Sequence, residues 1–343
     1  MKDGNNLERE WVKCDFCNFN KSRILFKTKD YMFNKIPEEF SIVKCQKCNL
    51  IFTNPRLKSN VLEKYYSGIL EYDNRLSFIN NKERLNVFRR KDILTNFFDY
   101  PLSKKNKITK VIQYPNYFRI KRKWKNTLLI PPYIQNGYIL EVGCGYGGYL
   151  YQLKRLGWNV KGLELNKKAV DFGIKKYKLD ILNQSIEDFQ SDRLFDIIYL
   201  QMVLEHVKSP KMVLNKCVSL LKPNGILMFS IPDFSGIEVR IYKKYAYVLQ
   251  IPFHLYHFTP NSIKKYLSEL NLSKIKVIHQ NFDRDLIAPL FFILREHPKK
   301  LYAKYLFKIM NNIWLRKSLI KIIIDVFAFL GKTSRMTVIA KKR

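Results

Sequence analysis

The sequence predicts an α/β fold, a mostly parallel sheet with helices on its faces, preceded by a small cysteine-bearing module. Three observations predict it. From Tyr138 onward short apolar runs alternate with helical patterns, the signature of βαβ units. The first of those runs ends in a glycine-rich loop, Leu140-Glu-Val-Gly-Cys-Gly-Tyr-Gly-Gly148. Ahead of them, four of the six cysteines fall into two C-x-x-C pairs.

Size and composition bound the answer. At ~150 residues per domain, a chain of 343 residues suggests two domains, or one with large additions. Apolar residues make up 47% and aromatics 14%, enough for a real core, so wholesale disorder is excluded. The 62 Lys and Arg against 29 Asp and Glu leave a net charge of +33, which favours a phosphate-rich or anionic-lipid partner. Codon bias in an AT-rich genome would also raise Lys, together with the abundant Ile, Asn, Phe and Tyr. The polar N-terminus (MKDGNNLEREWVK) shows no signal peptide, and the most apolar stretch, Leu319 to Leu330, is interrupted by Lys321 and Asp325. A cytoplasmic protein is expected.

In chain order, the first expected unit is a zinc-ribbon-like module at 11–55. Cys14-Asp-Phe-Cys17 and Cys45-Gln-Lys-Cys48 lie in short β-rich contexts, and Asn18 and Asn49 follow the second cysteine of each pair. That position often needs a left-handed backbone, which Asn tolerates. Four thiolates suit a closed, structural Zn2+ site with no open position for substrate. Next comes a helical basic connector at 56–137. Between Asp99 and Glu141 it carries nine Lys or Arg, no acidic residue, and interleaved Tyr114, Tyr117, Phe118 and Trp124. Such a stretch suits a solvated linker, nucleic acid or anionic lipid.

The third unit is expected at 138–343. Its strands are read at Tyr138–Val142, Val160–Leu165, Leu179–Leu182, Asp196–Leu200, Gly225–Ile231 and Lys274–His279, with a last one at Met336–Ala340 after an insertion at 281–334. Helices fall near Tyr149–Leu156, Lys167–Lys176, Pro210–Leu221 and Pro260–Leu270. The glycines of the first loop let the backbone pass close under a ligand at the strand's carboxyl end. Glu164 ends the second strand, where an acidic side chain can accept both hydroxyls of a ribose. The third strand leads into Gln184-Ser-Ile-Glu187, and the fourth, Phe195-Asp-Ile-Ile-Tyr-Leu-Gln201, runs into Met-Val-Leu-Glu-His206. Leu221-Lys-Pro-Asn-Gly225 follows.

Taken together, these residues resemble the class I S-adenosylmethionine-dependent methyltransferases over about Tyr138 to Gln280 plus the final strand. The resemblance implies a Rossmann-like seven-stranded sheet and S-adenosyl-L-methionine as cofactor. It implies that Glu141 orients the loop or the methionine ammonium group, and that the backbone of Gly143, Cys144, Gly145 and Gly147 lines the amino-acid part. Glu164 would hold the ribose, Ser185 and Ile186 the adenine, and Gln201 would complete the cofactor-binding set.

Glu205 and His206 fall just past a strand's carboxyl end, as does Ile231-Pro-Asp-Phe-Ser-Gly236, which leads into Pro252-Phe-His-Leu-Tyr-His-Phe-Thr-Pro260. His206, His254 and His257 therefore map to the expected acceptor face. His206 and His254, with Glu205, are the catalytic candidates, because a neutral imidazole suits a general base; His257 reads as structural. The cysteine module joined to this domain is also similar to bacterial zinc-binding methyltransferases acting on sugars, surface-glycan intermediates or quinone-like lipids. Sugar C-methyltransferases of that kind carry a Glu-His pair where this chain has Phe253-His254, so transfer to oxygen is the expectation. The acceptor would be small or a lipid-linked glycan.

Within the insertion, Leu301, Tyr302, Tyr305, Leu306, Ile309, Met310 and Ile313 share one helical arc, and Lys300, Lys304, Lys308 and Asn311 the other. A basic amphipathic helix can lie in an anionic membrane surface, here the inner face, or pack on the domain's own core. An RNA methyltransferase and a non-catalytic zinc-containing scaffold are the alternatives. The fourth strand lacks the N-P-P-Y type motif of many amino-group nucleic-acid methylases, which makes nucleic acid the weaker partner. No motif addresses oligomeric state.

Overall fold

The structure is a computed structural model and describes residues 7–62, 64–65, 91–102 and 130–343. The basic stretch 104–125 lies outside the described residues. The cysteine module forms two small sheets. Strands β2 (Ser22–Thr28), β3 (Phe40–Cys45) and β4 (Ile51–Thr53) pair antiparallel, while β1 (Arg9–Glu10) pairs with β5 (Arg56–Leu57). Each cysteine pair sits on a tight turn. Asn18 N–H donates to Cys14 O at 2.8 Å and Asn49 N–H to Cys45 O at 3.1 Å. Both asparagines are left-handed, with φ 58° and 68°, as their positions in the sequence suggest.

The main sheet has seven strands: β6 (Tyr138–Val142), β7 (Asn159–Leu163), β8 (Ile181–Leu182), β9 (Phe195–Gln201), β10 (Leu221–Pro232), β11 (Leu272–His279) and β12 (Arg335–Lys342). Their spatial order is β11-β12-β10-β9-β6-β7-β8. Only β12 runs antiparallel to both its neighbours, β10 and β11. All seven expected strands are present. The expected β10 was shorter: its start includes the Lys-Pro-Asn-Gly turn, where Asn224 (φ 64°) shifts the register against β9.

Helices α2 (Gly148–Arg155), α3 (Lys167–Tyr177), α4 (Pro210–Leu220) and α6 (Pro260–Ser268) lie near their expected positions, and a short α5 (Ile237–Tyr242) follows β10. The connector is more than a linker where it is described. Its helix α1 (Lys91–Phe98) buries Leu94 and Phe98, and with Tyr100 and Ile130 they pack on Ile139, Ile197, Tyr199 and Met228 of the sheet. Trp158 Nε1 donates to Tyr100 Oη at 2.9 Å, satisfying the indole inside this layer.

The insertion leaves from the end of β11 and returns at the start of β12. Because His279 pairs with Met336 and Pro232 with Arg335, it emerges at the same sheet edge as the carboxyl end of β10. It contains α7 (Arg284–Glu296), α8 (Leu301–Met310) and α9 (Lys321–Phe329). Helix α7 buries Ile287, Leu290, Phe292 and Ile293. Helix α8 turns Ala303 inward and sets Phe307 against Phe291, with ring centroids 6.2 Å apart. The arc of Leu301, Tyr305, Leu306 and Ile309 is left in solvent, so packing on the domain's own core is not what that arc does. Among the described residues, no helix is long and apolar enough to cross a membrane.

The module is built into the domain. Strand β4 pairs with the segment after Phe253: Thr53 N–H donates to Leu255 O and His257 N–H to Ile51 O, both at 2.9 Å. On the other side Asp15, between Cys14 and Cys17, accepts from Ser209 Oγ (2.6 Å), Tyr266 Oη (2.9 Å) and Lys211 N–H (3.0 Å) at the amino end of α4. There a carboxylate satisfies an otherwise orphaned amide and complements the helix dipole. Phe16 meets Tyr266 edge-on at 5.0 Å, and Lys265 Nζ donates to Cys48 O at 2.8 Å. Replacing Asp15 by Ala is expected to cost about 2 kcal/mol, since the bonds lost are charge-assisted. Urea denaturation of the full chain measures it.

Candidate active site

At the carboxyl end of β6 the chain turns through Gly143, Gly145 and Gly147, with φ of 69°, 53° and 73°. L-residues with side chains rarely adopt these values. A Cβ on Gly143 would come within 2.6 Å of the Val203 side chain, whereas one on Gly145 meets nothing within 4 Å. Space is therefore open over the middle of the loop. Cys144 contributes backbone only. Its thiol is buried, and a Cβ on Gly162 would come within 2.7 Å of its Sγ.

Two carboxylates flank this loop. Glu164 accepts from Gly145 N–H at 2.8 Å through Oε2 and from Asn166 N–H at 2.9 Å through Oε1. Glu141 is buried, and its Oε2 has no hydrogen-bond partner. Burial, with the nearby Glu164 charge, pushes its carboxyl well above the usual range. A buried carboxyl without a partner is costly unless a donor or cation arrives. An open cradle over Gly145 with Glu141 beneath it fits the ammonium and amino-acid end of S-adenosylmethionine.

The rest of the expected cofactor set follows the strand ends. Ser185 Oγ donates to Asp188 Oδ2 at 2.7 Å and accepts the Asp188 amide at 3.1 Å, so its hydroxyl shapes the turn after β8. The Ile186 side chain points into the core. Gln201, at the end of β9, accepts Tyr199 Oη at 2.8 Å.

Beyond β9, Met202 takes a left-handed backbone (φ 53°) and its N–H donates to Ser230 O at 2.9 Å, turning the chain across the sheet edge. This turn buries Glu205 completely, with neither carboxylate oxygen hydrogen-bonded. Burial pushes its carboxyl up to about 8, against the pull of the Arg335 charge. Glu205 O accepts Leu255 N–H at 2.8 Å, which brings the second histidine segment alongside the first. The His206 and His254 rings meet edge-on at 4.6 Å. His206 Nδ1 lies 3.0 Å from Phe253 O, and His254 Nδ1 lies 2.8 Å from Val248 O. A carbonyl only accepts, so both Nδ1 atoms carry the proton and both Nε2 atoms hold a lone pair. Burial holds His206 down at about 4 and His254 well below its ordinary value. One ligand atom from each of Glu205, His206 and His254 lies within 4.8 Å of the others.

The third histidine does not join them. His257 Nε2 is 3.1 Å from Thr53 Oγ1, and burial alone lowers it to about 3. It fastens the module's strand, the structural role expected of it. The four cysteines do converge, with one sulfur from each within 4.8 Å of the rest.

Two buried pairs at this edge escape sequence reasoning. Arg335 grips Asp285 through two bonds, 2.6 and 3.0 Å, at the root of the insertion. His279 Nε2 lies 2.8 Å from Asp233 Oδ2, while Asp233 Oδ1 accepts from the Ser235 amide and hydroxyl. The partners are separated by 50 and 46 residues and carry no local motif. Arg335, His279 and Asp233 stand at or beside strand ends on one sheet edge, which is a signal, but Asp285 lies in the first turn of α7.

Residues 116–277 match the family described as "Methyltransferase domain". The chain is similar to the ubiquinone biosynthesis O-methyltransferase of Actinobacillus pleuropneumoniae, 33% identical over 103 residues, 27% of this chain and 44% of the relative. It is similar to the enzyme of the same name from Rickettsia typhi, 26% identical over 189 residues, 51% of this chain and 74% of the relative. The chain thus spans less than half the length of the first relative. Among solved structures, phosphoethanolamine N-methyltransferase 2 of Haemonchus contortus is 16% identical with a TM-score of 0.42, over 62% of this chain and 50% of the other. A SAM-dependent methyltransferase of Archaeoglobus fulgidus is 15% identical with a TM-score of 0.40, over 67% of this chain and 92% of the other. The family match lies on the glycine-loop sheet, so residues 116–277 are those of a methyltransferase domain.

Proposed function

We propose that this chain methylates an oxygen of a small or lipid-linked acceptor, of sugar or glycan type or quinone-like. One observation carries the proposal: two sites meet along one sheet edge. They are the open loop beside Glu141, whose Oε2 has no hydrogen-bond partner, and the cluster of buried Glu205 and His254 with half-buried His206. When bound, S-adenosylmethionine supplies a methyl group on a positively charged sulfur, so that the acceptor oxygen forms the new C–O bond as the S–CH3 pair returns to sulfur. The chain must align the acceptor and accommodate loss of its proton. Glu141 would meet the ammonium group and Glu164 the ribose, exchanging its bonds to the Gly145 and Asn166 amides. His206 and His254 are the candidate bases, each with a lone pair at Nε2. Phe253, in place of the Glu used for C-methylation, and relatives named as O-methyltransferases support oxygen as the attacked atom.

The four-cysteine turn pair is proposed to hold a structural zinc ion. Thiols brought together on two rigid turns favour one shared tetrahedral ion.

The insertion supports a peripheral contact with an anionic membrane surface. Trp314 is 80% exposed, Leu301 65% and Tyr305 62%, and lysines 300, 304, 308 and 321 stand among these exposed apolar groups. Apolar groups that enter the interface, with lysines for anionic headgroups, would bring the acceptor edge to a lipid-borne substrate.

Replacing His206 or His254 by Ala is expected to lower turnover roughly a hundredfold or more while S-adenosylhomocysteine binding, read by calorimetry, stays unchanged. Full activity in both variants contradicts the catalytic assignment. Vesicles containing phosphatidylglycerol should sediment the chain at low salt, and Ile309→Glu with Trp314→Glu should release it. No sedimentation of the unaltered chain contradicts the membrane contact.

A further inference from the structure

We propose that Glu205, His206 and His254 form a second metal site, distinct from the four cysteines, which takes one divalent first-row transition ion at the acceptor end of the cleft. The role of that ion rests on the methyltransferase reading; its binding does not.

The donor set is the first reason. Two imidazoles and one carboxylate, with donor atoms within 4.8 Å of one another, are a recurrent ligand set for such ions. Ligands about 2.1 Å from one ion lie at most about 4.2 Å apart, so only a small closure is needed. Three protein ligands leave a position for a substrate oxygen, unlike the closed cysteine site.

The second reason is how the ligands are held. Both histidines turn Nδ1–H onto backbone carbonyls, Phe253 O and Val248 O, which fixes Nε2 as the coordinating nitrogen. This outer-shell arrangement is the one that orients imidazole on metals. The third reason is the absence of partners where partners are needed. Both Glu205 oxygens and His254 Nε2 are buried without a hydrogen bond, although Glu205 is 0% and His254 1% exposed. Arg335, whose charge acts on Glu205, is committed to Asp285 through two bonds. A divalent ion would satisfy these three atoms together, beside His206, which is half-buried.

An ion here would lower the pKa of an acceptor hydroxyl bound in its open position. The O–H bond would break with the proton passing to water, and the oxygen so formed would attack the methyl group. With the ion bound, the two Nε2 lone pairs serve as ligands, and the proton need not be taken by an imidazole.

Dialysis of the full chain against Co2+, followed by metal analysis and absorption spectroscopy, tests the site without any methyl-transfer assay. The expected result is an ion with weak visible bands from nitrogen and oxygen ligands, beside any ion whose sulfur-to-cobalt charge transfer reports the cysteines. Glu205→Gln and His254→Asn should each weaken the first ion at least about tenfold, the scale of losing one ligand. Far-UV circular dichroism and the melting temperature serve as the folding control, and the near-isosteric Glu205→Gln decides if His254→Asn does not fold. Absence of nitrogen- and oxygen-bound cobalt in the unaltered chain, or unchanged affinity in Glu205→Gln, overturns the proposal. Because no acceptor is present, failure of the methyltransferase reading would leave either result standing.

Discussion

The cluster of Glu205, His206 and His254 depends on a backbone pairing between distant parts of the chain. Ile51 and Thr53 of the cysteine module bond to His257 and Leu255, and Leu255 bonds in turn to Glu205. Thr53 Oγ1 adds a bond to His254 O at 3.0 Å. The module's third strand, the His254 segment and the turn after β9 thus form one hydrogen-bonded stack. The His206 and His254 rings face each other because that stack is in register. The module's strand β4 is therefore bonded directly to the segment that carries His254.

A second constraint is electrostatic. The sheet edge buries Glu141, Glu205, Asp233, Asp285, His254, His257 and His279 in a chain of net charge +33. Four of them are settled by partners: Asp285 by Arg335, Asp233 and His279 by each other, and His257 by Thr53. Glu141 Oε2, the two Glu205 oxygens and His254 Nε2 are not. The settled groups build the rim, and the unsettled ones line the two places where ligands are proposed. Buried polar groups are normally bonded, so the exceptions mark where a folded chain has left room for something else.

Much of this was legible in the sequence, for local reasons. The β-α alternation located every strand of the main sheet, and the asparagines after the cysteine pairs foretold left-handed turns that the structure contains. Glu141, Glu164, Glu205 and His206 could be placed because each follows or ends a strand, and parallel sheets bind ligands at that edge. What escaped was non-local. Nothing near Thr53 announces Leu255, some two hundred residues away, and nothing near Asp285 announces Arg335. The amphipathic pattern of α8 identified an apolar arc but not whether the fold would cover it. Its small residue Ala303 packs inward while the large ones stay exposed.

Hydrogen exchange shows whether the module's strand sets the position of the His254 segment. Replacing Cys45 and Cys48 by Ser removes the turn that delivers β4. The account predicts that the amides of residues 250–258 then lose protection, while β6 and β9 keep theirs, because the sheet has its own core on both faces. Unchanged protection at 250–258 in that variant would show that the acceptor segment holds its place without the module, and would contradict the account.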